Sequence, residues 1–107
     1  SYPTANIHIA ETYKLIPQNG VYVVQAKIDN TLTFGITSIG TNPTVGGTSK
    51  SIETFFLDTH TDLYGKTLQL HFLKYIREEA TFKNLERLKK AIQKDEAFAR
   101  DYIQSLA

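Results

Sequence analysis

Residues 20–39, with the sequence GVYVVQAKIDNTLTFGITSI, decide the fold. Two runs rich in β-branched and aromatic residues, 21–28 and 32–39, flank the segment DNT at 29–31, whose residue types are typical of turns. The preceding PQNG at 17–20 combines a proline of fixed φ with a glycine that tolerates positive φ, which favours a tight turn into the first run. The pattern therefore predicts a β-hairpin.

Outside the hairpin, the pattern predicts further strands and then one helix. Residues 51–58 and 68–76 are also β-prone, and the polar segment 40–50 between them and the hairpin is predicted to be a long loop. Apolar residues then recur at helical spacings from about Asn84 to about Ser105, with Asn84 as the N-cap. Strands followed by one helix predict a mainly β domain, a small antiparallel barrel with a helix packed on it.

Composition narrows the class of protein. A chain of 107 residues fits one domain, and its 41% hydrophobic and 21% charged residues are ordinary for a folded protein. The net charge of +1 provides no overall field to attract nucleic acid or anionic lipid, so neither a nucleic-acid nor a membrane partner is expected. The sequence contains no cysteine, which suits a cytoplasmic protein.

Two short segments carry chemistry of interest. In the extended segment PTAN, Thr4 and Asn6 are two residues apart and project from one face, so they are suited to offer two oxygen ligands to a hard cation. Glu53 stands between Ile52 and the apolar run FFL at 55–57, an environment suited to a general base. Ordinary strand-edge polar residues and an outward-facing glutamate are the alternatives. The three histidines lack the spacing of zinc ligands.

Taken together, the motifs resemble those of the riboflavin kinase family, best known as the C-terminal module of the bacterial bifunctional riboflavin kinase/FAD synthetase. The matching segments follow one another over nearly the whole chain: PTAN at 3–6, GVY at 20–22, SIGTNPT at 38–44, Glu53 with LD at 57–58, DLYGK at 62–66, and YIREE at 75–79 with Phe82.

This resemblance implies a fold, a reaction and cofactors. The fold would be a six-stranded antiparallel Greek-key barrel with a C-terminal helix, whose first strand is absent from this chain. The reaction would be ATP-dependent phosphorylation of the ribityl 5′-hydroxyl of riboflavin to give FMN, with Mg²⁺ or another divalent cation. We expect residues 1–107 to be one riboflavin kinase domain, truncated at its N-terminus and attached to an FMN adenylyltransferase domain in a longer protein.

The resemblance also implies roles for individual residues. Thr4 and Asn6 would bind the divalent cation and the nucleotide phosphates, Glu53 would be the catalytic base, and Arg77 and Phe82 would border the flavin. A further group would lie on the nucleotide side, namely Phe56, Asp58, Tyr64 and Leu88.

Two departures from the family pattern leave an alternative open. Phe55 stands where the family commonly has histidine, and the strand and glycine-rich nucleotide loop that precede PTAN in the family are not in this sequence. The alternative is a flavin-binding module of the same fold that does not catalyse.

Overall fold

The computed structural model describes residues 4–6, 17–58 and 68–106. These residues form five strands and one helix: β1 (Thr4–Asn6), β2 (Gly20–Ile28), β3 (Thr31–Thr44), β4 (Gly47–Phe56), β5 (His71–Arg77) and α1 (Leu85–Ser105). Every strand pairing is antiparallel, and the order across the sheet is β1-β4-β3-β2-β5. The mainly β class with a C-terminal helix is therefore confirmed.

The β2–β3 hairpin has the predicted position, and its turn is the two residues 29–30 of the predicted segment 29–31. Its ladder runs from Gly20 opposite Ile39 to Ile28 opposite Thr31. The two turn residues, Asp29 and Asn30, have φ values of 50° and 67°. A two-residue turn whose twist matches that of the strands needs positive φ at both positions, and aspartate and asparagine tolerate it better than other non-glycine residues.

The long loop predicted at 40–50 is wrong, because this segment forms a second hairpin. The β3–β4 ladder continues to Thr44 opposite Gly47, so only Val45 and Gly46 remain in the turn. Gly46 has a φ of 87°, which an L-residue with a side chain rarely adopts. All residues from 41 to 50 are exposed. Because neither face of this part of the hairpin is buried, its sequence does not alternate between apolar and polar residues, and it looks like a polar loop.

The sheet buries apolar residues on both faces, as the alternating contacts of β2 show. Val21 and Val23 pack with Ile36 and with Ala99 of α1 on one face, which we call the helix-facing side. Residues of the opposite face form two clusters: Tyr22, Val24, Ile39 and Ile52 in one, and Ala26, Ile28 and Phe56 in the other.

A pair of buried hydroxyls lies within this opposite face. Thr37 and Thr54 are register partners on β3 and β4, and both are 0% exposed. Their Oγ1 atoms are 2.6 Å apart, so one hydroxyl donates to the other. This pairing satisfies two polar groups that have no access to water.

Helix α1 begins as the sequence predicts. The side-chain oxygen of Asn84 accepts a hydrogen bond from the Arg87 backbone N–H at 2.9 Å, and Glu86 lies in the first turn, where the helix dipole favours an anion. Among the described residues, no helix has both the length and the apolar character needed to cross a membrane.

Candidate active site

One row of register partners crosses the whole sheet and joins two segments of interest. Asn6 is opposite Glu53, Glu53 is opposite Ser38, Ser38 is opposite Val21, and Val21 is opposite Arg77. Adjacent strands lie ~4.8 Å apart, so three steps separate the backbones of Glu53 and Arg77 by ~14 Å.

The described side chains show on which face of the sheet the row lies. Directly opposed residues of antiparallel strands project from the same face. Val21 packs in the cluster that contains Ala99 of α1, and Arg77 bonds to Asp95 of α1, so the row lies on the helix-facing side. Glu53 is exposed on that side. Its side chain on β4 therefore faces outward, as in the alternative considered from the sequence.

The strand β1 brings residues 4–6 of the PTAN segment to Glu53. Thr4 is the register partner of Phe55, and Asn6 that of Glu53. A threonine, an asparagine and a glutamate therefore occupy neighbouring backbone positions, and hydroxyl, amide and carboxylate oxygens are the donors that a hard divalent cation prefers. The residue types at this edge thus fit the expected cation. Elsewhere in residues 17–58 and 68–106, no group of three or more acidic, histidine or cysteine residues is placed to hold a metal ion.

Arg77, at the other end of the row, is held from two directions. Its Nε and Nη2 atoms donate to the two carboxylate oxygens of Asp95, each at 2.8 Å, and Nη1 donates to the Glu78 carbonyl at 3.0 Å. The hydrogen bonds that Arg77 donates to Asp95 raise the pKa of Arg77 above its usual value. The guanidinium carbon lies 5.6 Å from the centre of the Phe82 ring, within cation–π range. Arg77 and Phe82, both predicted to border a flavin, are therefore in contact.

A pocket of about 390 Å³ adjoins this pair. It is lined by Phe82 and by one face of α1, with Ala91 surrounded by three cationic residues: Arg87, Lys90 and Lys94. In the part of the chain that the structure describes, none of these three cations has a carboxylate partner. The pocket combines apolar surface with a positive rim, which suits a flat aromatic ligand that carries electronegative edges.

The four residues predicted for the nucleotide side are in different situations. Phe56 is 2% exposed and packs in the core, whereas Tyr64 lies outside the described residues. The Asp58 carboxylate accepts two hydrogen bonds from Arg100 of α1, which lower its pKa. Leu88 is on α1, 36% exposed, and it precedes Arg100 by twelve positions, which correspond to ~18 Å along the helix axis. The described contacts therefore do not bring Leu88 and Asp58 together.

Sequence reasoning missed Asp95, which is 3% exposed. A signal for it was present: it lies three residues after Ile92 and four before Ala99, within the apolar stripe of the helix. A charged residue in such a stripe is rarely buried unless it is paired, so its position called for a cationic partner on the sheet.

Glu79 was missed as well. A Cβ added to Gly40 of β3 would overlap the Glu79 carboxylate. The glycine of the IGTNPT segment therefore allows the segment after β5 to approach the sheet closely, two positions along β3 from Ser38 of the row.

The described residues form an antiparallel sheet with one C-terminal helix, in which Asn6 of the edge strand and Glu53 of β4 lie at one end of the row and a helix-held arginine beside an aromatic ring lies at the other. This architecture is the flavokinase-type fold. The family model Flavokinase, described as riboflavin kinase, matches residues 1–103. The chain belongs to this family.

Individual relatives agree with the family match. The chain is 42% identical over 95 residues to the RNA-binding riboflavin kinase RibR of Bacillus subtilis, covering 88% of this chain and 40% of that protein. It is 41% identical over 99 residues to the bifunctional riboflavin kinase/FMN adenylyltransferase of Pseudomonas fluorescens, covering 92% of this chain and 31% of that protein. The Escherichia coli K12 protein of the same name is 37% identical over 102 residues, covering 94% and 32%.

A solved structure resembles the fold closely. The crystal structure described as a macrolide-efflux protein from Streptococcus pneumoniae superposes with a TM-score of 0.86 at 31% identity, covering 92% of this chain and 32% of that one. The chain therefore spans about a third to two fifths of the length of these proteins.

Proposed function

We propose that this domain transfers the γ-phosphoryl group of ATP to the ribityl 5′-hydroxyl of riboflavin, giving FMN and ADP. The observation that supports this most directly is the row that joins Asn6 and Glu53 at one end to Arg77 at the other. A substrate with an aromatic ring system at one end and a reacting hydroxyl at the other matches two unlike sites separated along one face of a sheet.

Glu53 is the proposed catalytic base. Its carboxylate accepts the proton of the 5′-hydroxyl while that oxygen forms a bond to the γ-phosphorus and the bond from phosphorus to the β,γ-bridging oxygen breaks, with ADP as the leaving group. An exposed carboxylate on the helix-facing side is accessible to both substrates from solvent. Phe55 does not replace this group: Glu53 and Phe55 are two residues apart on β4, opposite Ser38 and Ile36 of β3, and so share one face of the sheet.

Thr4 and Asn6 are proposed to hold the divalent cation, Mg²⁺ by the chemistry of the donors, and the nucleotide phosphates. The cation would supply neutralisation of the charge that develops on the transferring group. Asp58, Tyr64 and Leu88 remain predictions for the nucleotide side. Phe56 is not carried into the proposal, because its side chain is buried in the core.

Arg77 and Phe82 are proposed to border the isoalloxazine ring, with the adjoining pocket as the space that receives it. The apolar walls from Phe82 and Ala91 suit the ring faces, and the cations suit its carbonyl and ring-nitrogen edge. An FMN adenylyltransferase domain in the same polypeptide and a cytoplasmic location are proposed from the relatives and the composition, respectively.

The absence of a nucleic-acid partner stays a prediction. One relative is described as RNA-binding, although this chain corresponds to 40% of its length. Titration of the chain with a fluorescent single-stranded RNA at several salt concentrations tests it, since binding to phosphates weakens steeply as salt rises.

The direct test is FMN formation from riboflavin, ATP and MgCl₂, followed by chromatography. It compares the wild-type chain, any longer natural protein that contains it, and the Glu53→Gln variant of each. We expect turnover to fall by a factor of 10² or more in Glu53→Gln, the range of general-base effects, with riboflavin affinity retained. Asp101→Asn, an exposed carboxylate near the end of α1, is the matched control.

The outcomes separate the two functions. Wild-type activity with an inactive Glu53→Gln supports the kinase and its base. Riboflavin binding without FMN formation in every form would instead favour the non-catalytic flavin-binding module, and equal turnover of wild type and Glu53→Gln would remove Glu53 as the base.

A further inference from the structure

Asp95 is a buried carboxylate at the contact between helix and sheet. It lies in the middle of α1 with 3% of its surface exposed, next to the core residue Ala99 one turn further on. Burying a carboxylate costs free energy unless it is paired and hydrogen-bonded, and here both oxygens accept from one guanidinium at 2.8 Å. The pair joins β5 to α1 through two residues that are 18 positions apart in sequence.

The pairing fixes the orientation of Arg77 and leaves part of it accessible. Two of its nitrogens are directed to Asp95 and the third to the Glu78 carbonyl, so the plane of the guanidinium is set from two sides. In that plane the group lies against Phe82, while the arginine side chain remains 30% exposed. Without Asp95 the long side chain would regain its rotamer freedom, and the cation would prefer full hydration.

We propose that Asp95 is a positioning residue for flavin binding: it holds the Arg77 guanidinium against Phe82 and so presets the wall on which the isoalloxazine ring binds. This inference rests on the proposed function. Asp95 is itself too buried to touch the ligand, so its effect passes through Arg77. A preset arginine lowers the entropy that binding must otherwise remove, which appears in the affinity for the flavin and not in the affinity for ATP.

The test is Asp95→Asn, which keeps the size of the side chain and removes its charge. Riboflavin binding is measured by quenching of flavin fluorescence, and steady-state kinetics give separate KM values for riboflavin and ATP. We expect the riboflavin Kd and KM to rise by about tenfold, with the ATP KM within twofold of wild type. Combining Asp95→Asn with Arg77→Lys should add little to the effect of Arg77→Lys alone, because both act on the same guanidinium.

Glu96→Gln is the matched control, since it removes a carboxylate from the adjacent position of the same helix, where it pairs with Arg100. Its riboflavin Kd should equal that of wild type. If Asp95→Asn does not fold, Asp95→Glu keeps the charge and displaces the carboxylate by one methylene; we expect it to fold and to raise the riboflavin Kd about threefold.

The results distinguish the inference from the proposed function. If the wild type binds riboflavin and forms FMN, but Asp95→Asn, or Asp95→Glu in its place, keeps the wild-type riboflavin Kd, the positioning role is overturned and the kinase stands. Equal rises in the KM for riboflavin and for ATP would also overturn it, because they would indicate general loosening of the fold. A wild type that binds no riboflavin overturns both.

Discussion

The buried hydroxyl pair of Thr37 and Thr54 allows a sharp prediction about stability. Each residue is 0% exposed, and their Oγ1 atoms are 2.6 Å apart. Valine has nearly the shape of threonine, so Thr→Val removes the hydroxyl with little change in packing. One substitution leaves the other hydroxyl buried without its partner, which costs ~1–3 kcal/mol in the free energy of unfolding. Replacing both leaves no unsatisfied group and should be nearly neutral.

The double-mutant cycle is measured by urea unfolding followed by circular dichroism. With a cost of ~2 kcal/mol and an m value of ~1.5 kcal/mol/M, each single variant should lower the midpoint by ~1.3 M, and Thr37→Val/Thr54→Val should return to near the wild-type midpoint. The exposed Thr48→Val on β4 is the control and should change the free energy by less than ~0.5 kcal/mol. A double variant as unstable as the sum of the two singles would refute the reasoning.

Three further predictions concern an ion pair, two glycines of β3 and the N-cap of the helix. Asp58→Asn should lower the free energy of unfolding by less than ~1 kcal/mol at pH 7, because the Asp58–Arg100 pair is exposed. Since Arg100 lowers the pKa of Asp58, the difference from wild type should be present above about pH 4 and disappear as the pH falls through the folded-state pKa. Urea titrations at several pH values measure it. Gly35→Ala should destabilise far more than Gly40→Ala in thermal melts, because the added Cβ would meet a backbone carbonyl 2.7 Å away at Gly35 but only a movable carboxylate at Gly40; equal melting temperatures would contradict this. Asn84→Ala should cost ~1 kcal/mol by loss of the N-cap, measured by the same melts, and Asn84→Ser should recover most of it.

The parts of the fold that the sequence predicts correctly depend on local signals. The turn at Asp29 and Asn30 and the N-cap at Asn84 each rest on a side chain that acts on its own backbone or within three residues. The second hairpin, with its turn at Val45 and Gly46, was missed because its exposed strands carry no apolar alternation. An alternation of apolar and polar residues arises only where one face of a strand is buried, so a strand with two exposed faces lacks it.

Several residues of the candidate site were predictable from the sequence, but their arrangement was not. The motifs name Asn6, Glu53 and Arg77, but residue spacing along the chain does not show that these three share one row; that follows from the register of four ladders. Asp95 is the counterpart: its partner is 18 residues away on another element, and a pairing of that kind is set by the packing angle of helix on sheet. Pattern reasoning finds the residue types, whereas tertiary packing decides which of them meet.

The two ends of the row are built differently, and the difference fits the two tasks proposed for them. At the end proposed for the flavin, Arg77 is held by a buried carboxylate and lies against an aromatic ring, so the surface proposed to recognise a rigid ring system is itself held in place. At the other end, Glu53 is exposed and, among the described residues, makes no hydrogen bond or ion pair of its own. A base must change its protonation state in each turnover, and a carboxylate already committed to a cation would resist that change. The same sheet therefore provides a proposed binding wall that is held in place and a carboxylate without such bonds, separated by the two strands β3 and β2 that hold them in register.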